Sequence, residues 1–242
     1  MQVEDIPYEV DGIAMRGRLA FDDGATGPGP AVLLCHEGNG MSAHVKERAE
    51  RLAQLGYVAF ALDYLGGGGR VADQTAWAQL SAMMEDPTLA RHRAAAGLGI
   101  LLDHPRTDPG RVAAIGFCFG AVMALELARG GSADLKAVVG FHPGPLTPRP
   151  EDSRTITAGV LMCIGTDDPY MTRDQRTAFE QDMLDAGVED WRIEVYGGVA
   201  HSFTNPEAAS AGLPGVAYDR RSDERSWGSM RALLAETIGD GK

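Results

Sequence analysis

Cysteine is scarce in this chain: Cys35, Cys118 and Cys163 are the three present in 242 residues, with no Cys-x-x-Cys pair among them. An odd, widely spaced set supplies neither a disulfide framework nor a zinc knuckle, and it fits a reducing compartment. Long apolar runs are missing too. No stretch approaches the about 20 residues that a membrane span needs, and Met1-Gln2-Val3-Glu4-Asp5 has neither the basic nor the apolar region of a secretory signal. The expectation is a cytoplasmic protein with no membrane partner. Positive charge is the third deficit: 22 Lys and Arg against 34 Asp and Glu leave a net charge of −12. That balance opposes nucleic acid, which is held through Lys and Arg contacts to phosphate. The run Gly66-Gly67-Gly68-Gly69 lacks the Gly-Lys-Ser/Thr ending of a phosphate loop and reads as a flexible rim loop.

What is present is a globular composition. Hydrophobic residues make up 44% and charged ones 23%, enough apolar material for a large core and not the profile of a disordered chain. The length fits one α/β domain over 1–242, since single α/β domains often exceed the usual length of about 100–200 residues. Residues 6–10 and 13–21 flank Asp11-Gly12, a pair suited to the positive φ angles of a two-residue hairpin, and predict an antiparallel edge. Apolar runs at 31–34, 58–62, 112–115, 138–141, 160–164 and 193–196 then alternate with helical patterns. That alternation predicts an α/β fold with a mostly parallel sheet and helices on both faces.

Helix signals are clearest in three places. Val45, Ala49, Leu52 and Ala53 share one face of residues 45–55, and Trp227, Met230, Leu234 and Ile238 repeat the pattern near the end. Thr172-Arg173-Asp174-Gln175 has the form of a capping box, with Gly187 as the stop, so a helix is predicted over 173–186. Residues 121–128 are apolar nearly all round apart from Glu126, as in a helix buried against a sheet.

The most informative stretch is Gly116-Phe117-Cys118-Phe119-Gly120, between the apolar run 112–115 and that buried helix. It reads as a nucleophile elbow, a sharp strand-to-helix turn that needs small residues two before and two after the exposed side chain. The side chain at the tip is a thiol, and a thiolate at a helix N-terminus is stabilised by the unpaired N–H groups there. An acid and a histidine follow in the order this architecture requires. Gly165-Thr166-Asp167-Asp168-Pro169 comes just past one predicted strand, and Gly197-Gly198-Val199-Ala200-His201-Ser202-Phe203 just past the next. In an open parallel sheet the loops beyond the carboxyl ends of the strands share one edge, where such residues converge. Cys118 would attack an electrophilic carbon, His201 would move the proton, and the carboxylate would fix the imidazole. The N–H groups of Phe119 and Gly38 are the expected oxyanion donors.

Taken together, Gly-x-Cys-x-Gly, Gly-x-x-Asp-Pro and Ala-His-Ser-Phe in this order resemble the dienelactone hydrolase family, over nearly the whole chain from about Val3 to the last helix. The resemblance implies an α/β-hydrolase fold, hydrolysis of esters or lactones without a cofactor or metal, and a triad of Cys118, Asp168 and His201. It also implies a role for Glu37, in Cys35-His36-Glu37-Gly38, as a carboxylate that contacts the resting thiol and regulates its activation. Periodicity does not decide between Asp167 and Asp168; the family spacing favours Asp168. Candidate substrate contacts are His36, Tyr64, Arg91, His142, Ser202 and Asn205. At Asn205 the chain departs from the family, which carries there an arginine that clamps a substrate carboxylate, so charge from Arg70, Arg91 or Arg93 is the alternative source.

Other readings stand beside this one. Cys35 and Cys163 lie in strand-like apolar runs and take the usual buried role of cysteine, and His44, His92 and His104 read as surface residues. A small-molecule binder on a hydrolase scaffold is a second class of function, which the intact triad disfavours. A thiol redox protein is a third, which would want a resolving cysteine near Cys118. The partner expected is a small ester or lactone, and the assembly a monomer or homodimer.

Overall fold

The structure, a computed structural model, describes residues 1–24 and 26–241. It opens with an antiparallel hairpin of β1 (Gln2–Val10) and β2 (Ile13–Phe21). Asp11 and Gly12 take φ angles of 54° and 73° at its tip, the left-handed pair that keeps a two-residue turn in step with strand twist. Next come β3 (Gly29–Cys35), α1 (Ala43–Gln54), β4 (Val58–Leu62), α2 (Asp73–Glu85) and α3 (Pro87–Asp103). The middle of the chain forms β5 (Thr107–Phe117), α4 (Phe119–Arg129), β6 (Leu135–Phe141) and a single turn, α5 (Pro150–Ser153). The last part holds β7 (Gly159–Gly165), α6 (Arg173–Ala186), β8 (Trp191–Tyr196) and α7 (Arg220–Thr237). Among the described residues no helix is long and apolar enough to cross a membrane.

Among the described residues eight strands join one sheet in the order β1-β2-β4-β3-β5-β6-β7-β8, antiparallel at β1-β2-β4 and parallel from β4 onward. Alternate residues feed opposite layers, as the twofold period of a strand dictates. Ala31, Leu33 and Cys35 of β3 pack into the core that takes in α2, α3, α4 and α6, while Val32 and Leu34 face the core beneath α1 and α7. The parallel strands end at one edge, and the loops that leave that edge carry the candidate residues.

Local chemistry fixes the ends of the helices that matter. Thr172 and Gln175 form the reciprocal capping box at the start of α6, and Gly187 closes it with φ 71°. Glu126, the one acid in α4, is buried where it accepts from Arg91, Arg129 and Arg149. A buried carboxylate without such partners would be costly.

Candidate active site

β5 ends at Phe117 and α4 begins at Phe119, so Cys118 alone reverses the chain between them. Its φ is 55° and ψ −120°, a conformation that strains a residue with a Cβ by on the order of 1–3 kcal/mol. A Cβ on Gly116 would stand 2.0 Å from the Gly120 carbonyl oxygen, and one on Gly120 would stand 2.1 Å from the Cys35 carbonyl oxygen. Only hydrogen fits at either place. The Cys118 N–H donates to the Phe141 carbonyl at 3.0 Å, and the Cys118 carbonyl accepts from the Gly144 N–H at 3.1 Å. The thiol is thereby held half-buried at the amino end of α4, where unpaired N–H groups favour an anion. Among the described residues the N–H groups of Phe119 and Gly38 donate to no other group. A Cβ on Gly38 would lie 3.7 Å from that of Phe119, so these two stretches of backbone are neighbours beside the thiol.

The loops after β7 and β8 are joined by their own backbone. Thr166 N–H donates to the Tyr196 carbonyl and Asp167 N–H to the Val199 carbonyl, and a Cβ on Gly165 would stand 2.0 Å from that Val199 oxygen. This close approach brings His201 to Asp168, with Nδ1 2.8 Å from Oδ2. The second Asp168 oxygen accepts from the Tyr170 N–H at 2.8 Å, and the Tyr170 ring lies edge-on against the imidazole. The returning chain grips His201 as well: its N–H donates to the Gly215 carbonyl at 2.9 Å and its carbonyl accepts from the Ala217 N–H at 3.0 Å. Burial alone would lower the His201 pKa. The charge of Cys118 and the hydrogen bond to Asp168 outweigh it and raise the pKa to about 10.

Glu37 is turned to other partners than the thiol. Its oxygens accept from His44 Nδ1 at 2.6 Å, the Ser42 hydroxyl at 3.0 Å and the Asn205 amide at 3.2 Å, and among the described residues no hydrogen bond joins it to Cys118. Burial works to raise its pKa, but the His44 contact, its backbone and Ser42 bring it down to about 2. His44, which the sequence placed at the surface, is buried. It sits one turn into the site because Ser42 caps α1, accepting from the Val45 N–H, so the first turn of that helix points at the β3 loop. Asn205, read as a substrate contact, is held to Glu37.

Several other expected positions differ. Arg91 lies away from the sheet edge, between Glu126 and Asp152, because its guanidinium completes the ion-pair cluster of α3, α4 and α5. Arg93 donates to the Tyr64 carbonyl and Gln79, and Arg70 is exposed. His36 and Tyr64 are fully buried, their rings stacked at 3.8 Å with the Tyr64 hydroxyl on the His36 carbonyl. They brace the loop that carries Gly38 and offer a ligand no surface. His142 is fully buried as well, edge-on to His201 and bonded through Nε2 to Thr204; burial pushes its pKa well down, so it is neutral. Ser202 is half-buried with φ 58°. The glycine run is not a loose rim: Gly66 and Gly68 donate their N–H groups to the carboxylate of Asp63, which the turn wraps. Sequence reading missed Tyr170, whose only signal was its place two residues after Asp168.

A mostly parallel sheet with a strained cysteine between β5 and α4, and an acid and a histidine in the loops after β7 and β8, defines an α/β-hydrolase. The profile of the dienelactone hydrolase family matches residues 15–238. The crystal structure of a dienelactone hydrolase-like promiscuous phosphotriesterase from metagenomic libraries is similar, 38% identical with a TM-score of 0.93 over 98% of this chain and 99% of its own. Protein usf of Aquifex pyrophilus is 27% identical over 239 residues, 96% of this chain and 98% of that one. A carboxymethylenebutenolidase of a Pseudomonas species is 28% identical over 160 residues, 63% of this chain and 66% of its own. The chain belongs to the dienelactone hydrolase family, and it is a hydrolase of the ester and lactone class.

Proposed function

We propose that this hydrolase cleaves uncharged esters or lactones through a thioester on Cys118. The observation that carries the reading is His201 fixed by Asp168 at 2.8 Å beside a cysteine held in a strained elbow. With its pKa raised to about 10, His201 is charged at neutral pH and holds the proton that the leaving group needs. The thiolate adds to the carbonyl carbon, and the oxyanion takes hydrogen bonds from the Phe119 and Gly38 N–H groups. Collapse expels the alkoxide, which leaves with the proton of His201. Neutral His201 then takes a proton from water as the hydroxide adds to the thioester, and the acid departs as the thiolate and imidazolium return.

Turnover of short-chain aryl esters and lactones by the wild type, beside Cys118→Ala and His201→Ala, tests this. Each single variant is expected to abolish turnover, and the double variant to be no slower, because members of such a unit do not contribute additively. Mass spectrometry of the enzyme quenched during turnover is expected to show the acyl group on Cys118. An acyl group on another residue, or full turnover without the thiol, defeats the reading.

The preference for uncharged substrates rests on Asn205. A neutral amide occupied by Glu37 cannot offer a carboxylate the paired, charge-assisted donors of a guanidinium, worth roughly 1.5–3 kcal/mol per bond. The expected result is a kcat/KM for a neutral methyl ester at least equal to that for the matching free acid, shifting toward the acid in Asn205→Arg. A strong wild-type preference for the carboxylate would contradict it. The similar phosphotriesterase favours one further class, aryl phosphotriesters, whose phosphoryl oxygen would meet the same two N–H groups; they belong in the same screen.

A further inference from the structure

Two histidines in this fold end on a carboxylate through Nδ1: His201 on Asp168 at 2.8 Å, and His44 on Glu37 at 2.6 Å. They part at the other nitrogen. His201 Nε2 is buried without a hydrogen-bond partner among the described residues, which leaves it to the Cys118 thiol. His44 Nε2 instead receives the Nε–H of Arg48 at 3.1 Å. A guanidinium has donors only and keeps its protons throughout the working range. The nitrogen it points to must therefore present a lone pair. That places the single proton of His44 on Nδ1, and Nδ1 donates it to Glu37.

Arg48 is itself held. One of its terminal nitrogens lies 2.8 Å from each oxygen of Asp223 on α7 and 2.7 Å from the Thr204 carbonyl. The Trp227 ring lies 5.1 Å from the guanidinium carbon. Arg48, His44, Glu37 and Asp223 are all buried. The remaining groups that face His44 are the Thr204 hydroxyl, 3.4 Å from Nε2, the neutral His142 on the far side of that hydroxyl, and the edge of the Phe117 ring. A chain of four side chains thus runs from the last helix to the carboxylate beside the oxyanion loop.

We propose that Arg48 is a positioning residue for the Cys118 chemistry. By holding His44 in its Nδ1–H form, it pins the Glu37 carboxylate against His44, Ser42 and Asn205, and keeps that anion off the Cys118–His201 pair. With the opposite tautomer, the Nδ1 lone pair would face the carboxylate and repel it. A released Glu37 would disfavour a thiolate by its charge, compete with it for the N–H of the His201 imidazolium, and carry the adjoining Gly38 N–H with it. This proposal rests on Cys118 being the nucleophile.

The first test is nitrogen NMR of the full chain labelled in histidine, which reports directly which ring nitrogen carries the proton. At neutral pH the wild type is expected to show His44 protonated on Nδ1 alone. Arg48→Lys keeps a cation for Asp223 but cannot also set a planar N–H on His44. That variant is expected to lose the tautomer and about tenfold in kcat for a neutral aryl ester, with KM little changed. His44→Asn offers an amide N–H to Glu37 and has no tautomer to set, so in that background Arg48→Lys is expected to change kcat by less than about twofold. Equal losses in the two backgrounds, or a wild-type His44 protonated on Nε2, would overturn the proposal. If Arg48→Lys does not fold, the wild-type spectrum decides by itself. Failure of the Cys118 reading shows separately, as turnover that survives Cys118→Ala while the His44 spectrum remains readable.

Discussion

Asp167 and Asp168 are adjacent in sequence and opposite in surroundings. Asp168 is buried against His201 and the Tyr170 N–H, whereas Asp167 is exposed and accepts from the Thr166 hydroxyl. Asp168→Asn is expected to lower kcat by about 10³–10⁴-fold, since an amide neither stabilises imidazolium nor holds the required tautomer, while Asp167→Asn changes it by less than about twofold. Steady-state kinetics on one ester checks both, and the reverse ranking would reassign the acid. The raised His201 pKa has a definite sign. The folded state favours the charged ring, so this contribution to stability is fully present below the ordinary histidine value of 6.5 and is lost as pH rises through about 10. A pH–rate profile is expected to fall as pH passes about 10, and to fall at lower pH in Asp168→Asn. The strand-end places of Cys118, the Asp167-Asp168 pair and His201 were legible in the sequence because each sits in a short motif, and the family spacing was what favoured Asp168. His44 was not. Its role depends on the Arg48 and Glu37 it meets across two elements, which no spacing along the chain encodes.

At the scale of elements, the strand-to-helix turn and the capped helix were read with bounds close to those observed, since their signals are local: two glycines around a cysteine, or a threonine and a glutamine three apart. The order of strands was not readable, because β4 comes to lie between β2 and β3 through contacts distant in sequence. Arg91 and the Gly66–Gly69 run were misplaced for the same reason, one drawn into ion pairs with Glu126 and Asp152, the other folded round Asp63. The elbow can be tested against an unconstrained glycine. In Gly120→Ala the new Cβ would meet the Cys35 carbonyl at 2.1 Å, so a loss above about 3 kcal/mol is expected, seen as a Tm lower by roughly 6–12 °C. Gly99 in α3 has open space at its Cβ position, and Gly99→Ala is expected to be neutral or to stabilise by about 0.5–1 kcal/mol. Thermal melts of the two variants that moved alike would refute the steric account.

At the scale of the whole molecule, stability in acid depends in part on the carboxylate that closes the Arg48 chain. Glu37 has a folded-state pKa brought from 4.5 to about 2 despite its burial. A depressed carboxylate stabilises the fold above its unfolded value, and that contribution disappears as pH falls from 4.5 through about 2. Glu37→Gln is therefore expected to be less stable than the wild type at neutral pH, with the gap closing in acid. Denaturant unfolding at several pH values measures it; a gap that stays constant down to about pH 2 would remove the carboxylate from the explanation.

The grip of Gly215 and Ala217 on His201 reaches across a loop. Residues 206–214 leave the site after Asn205 and return at a point stitched to the histidine backbone from both sides. The His201 backbone is thus located by bonds that begin beyond that stretch, at Gly215 and Ala217.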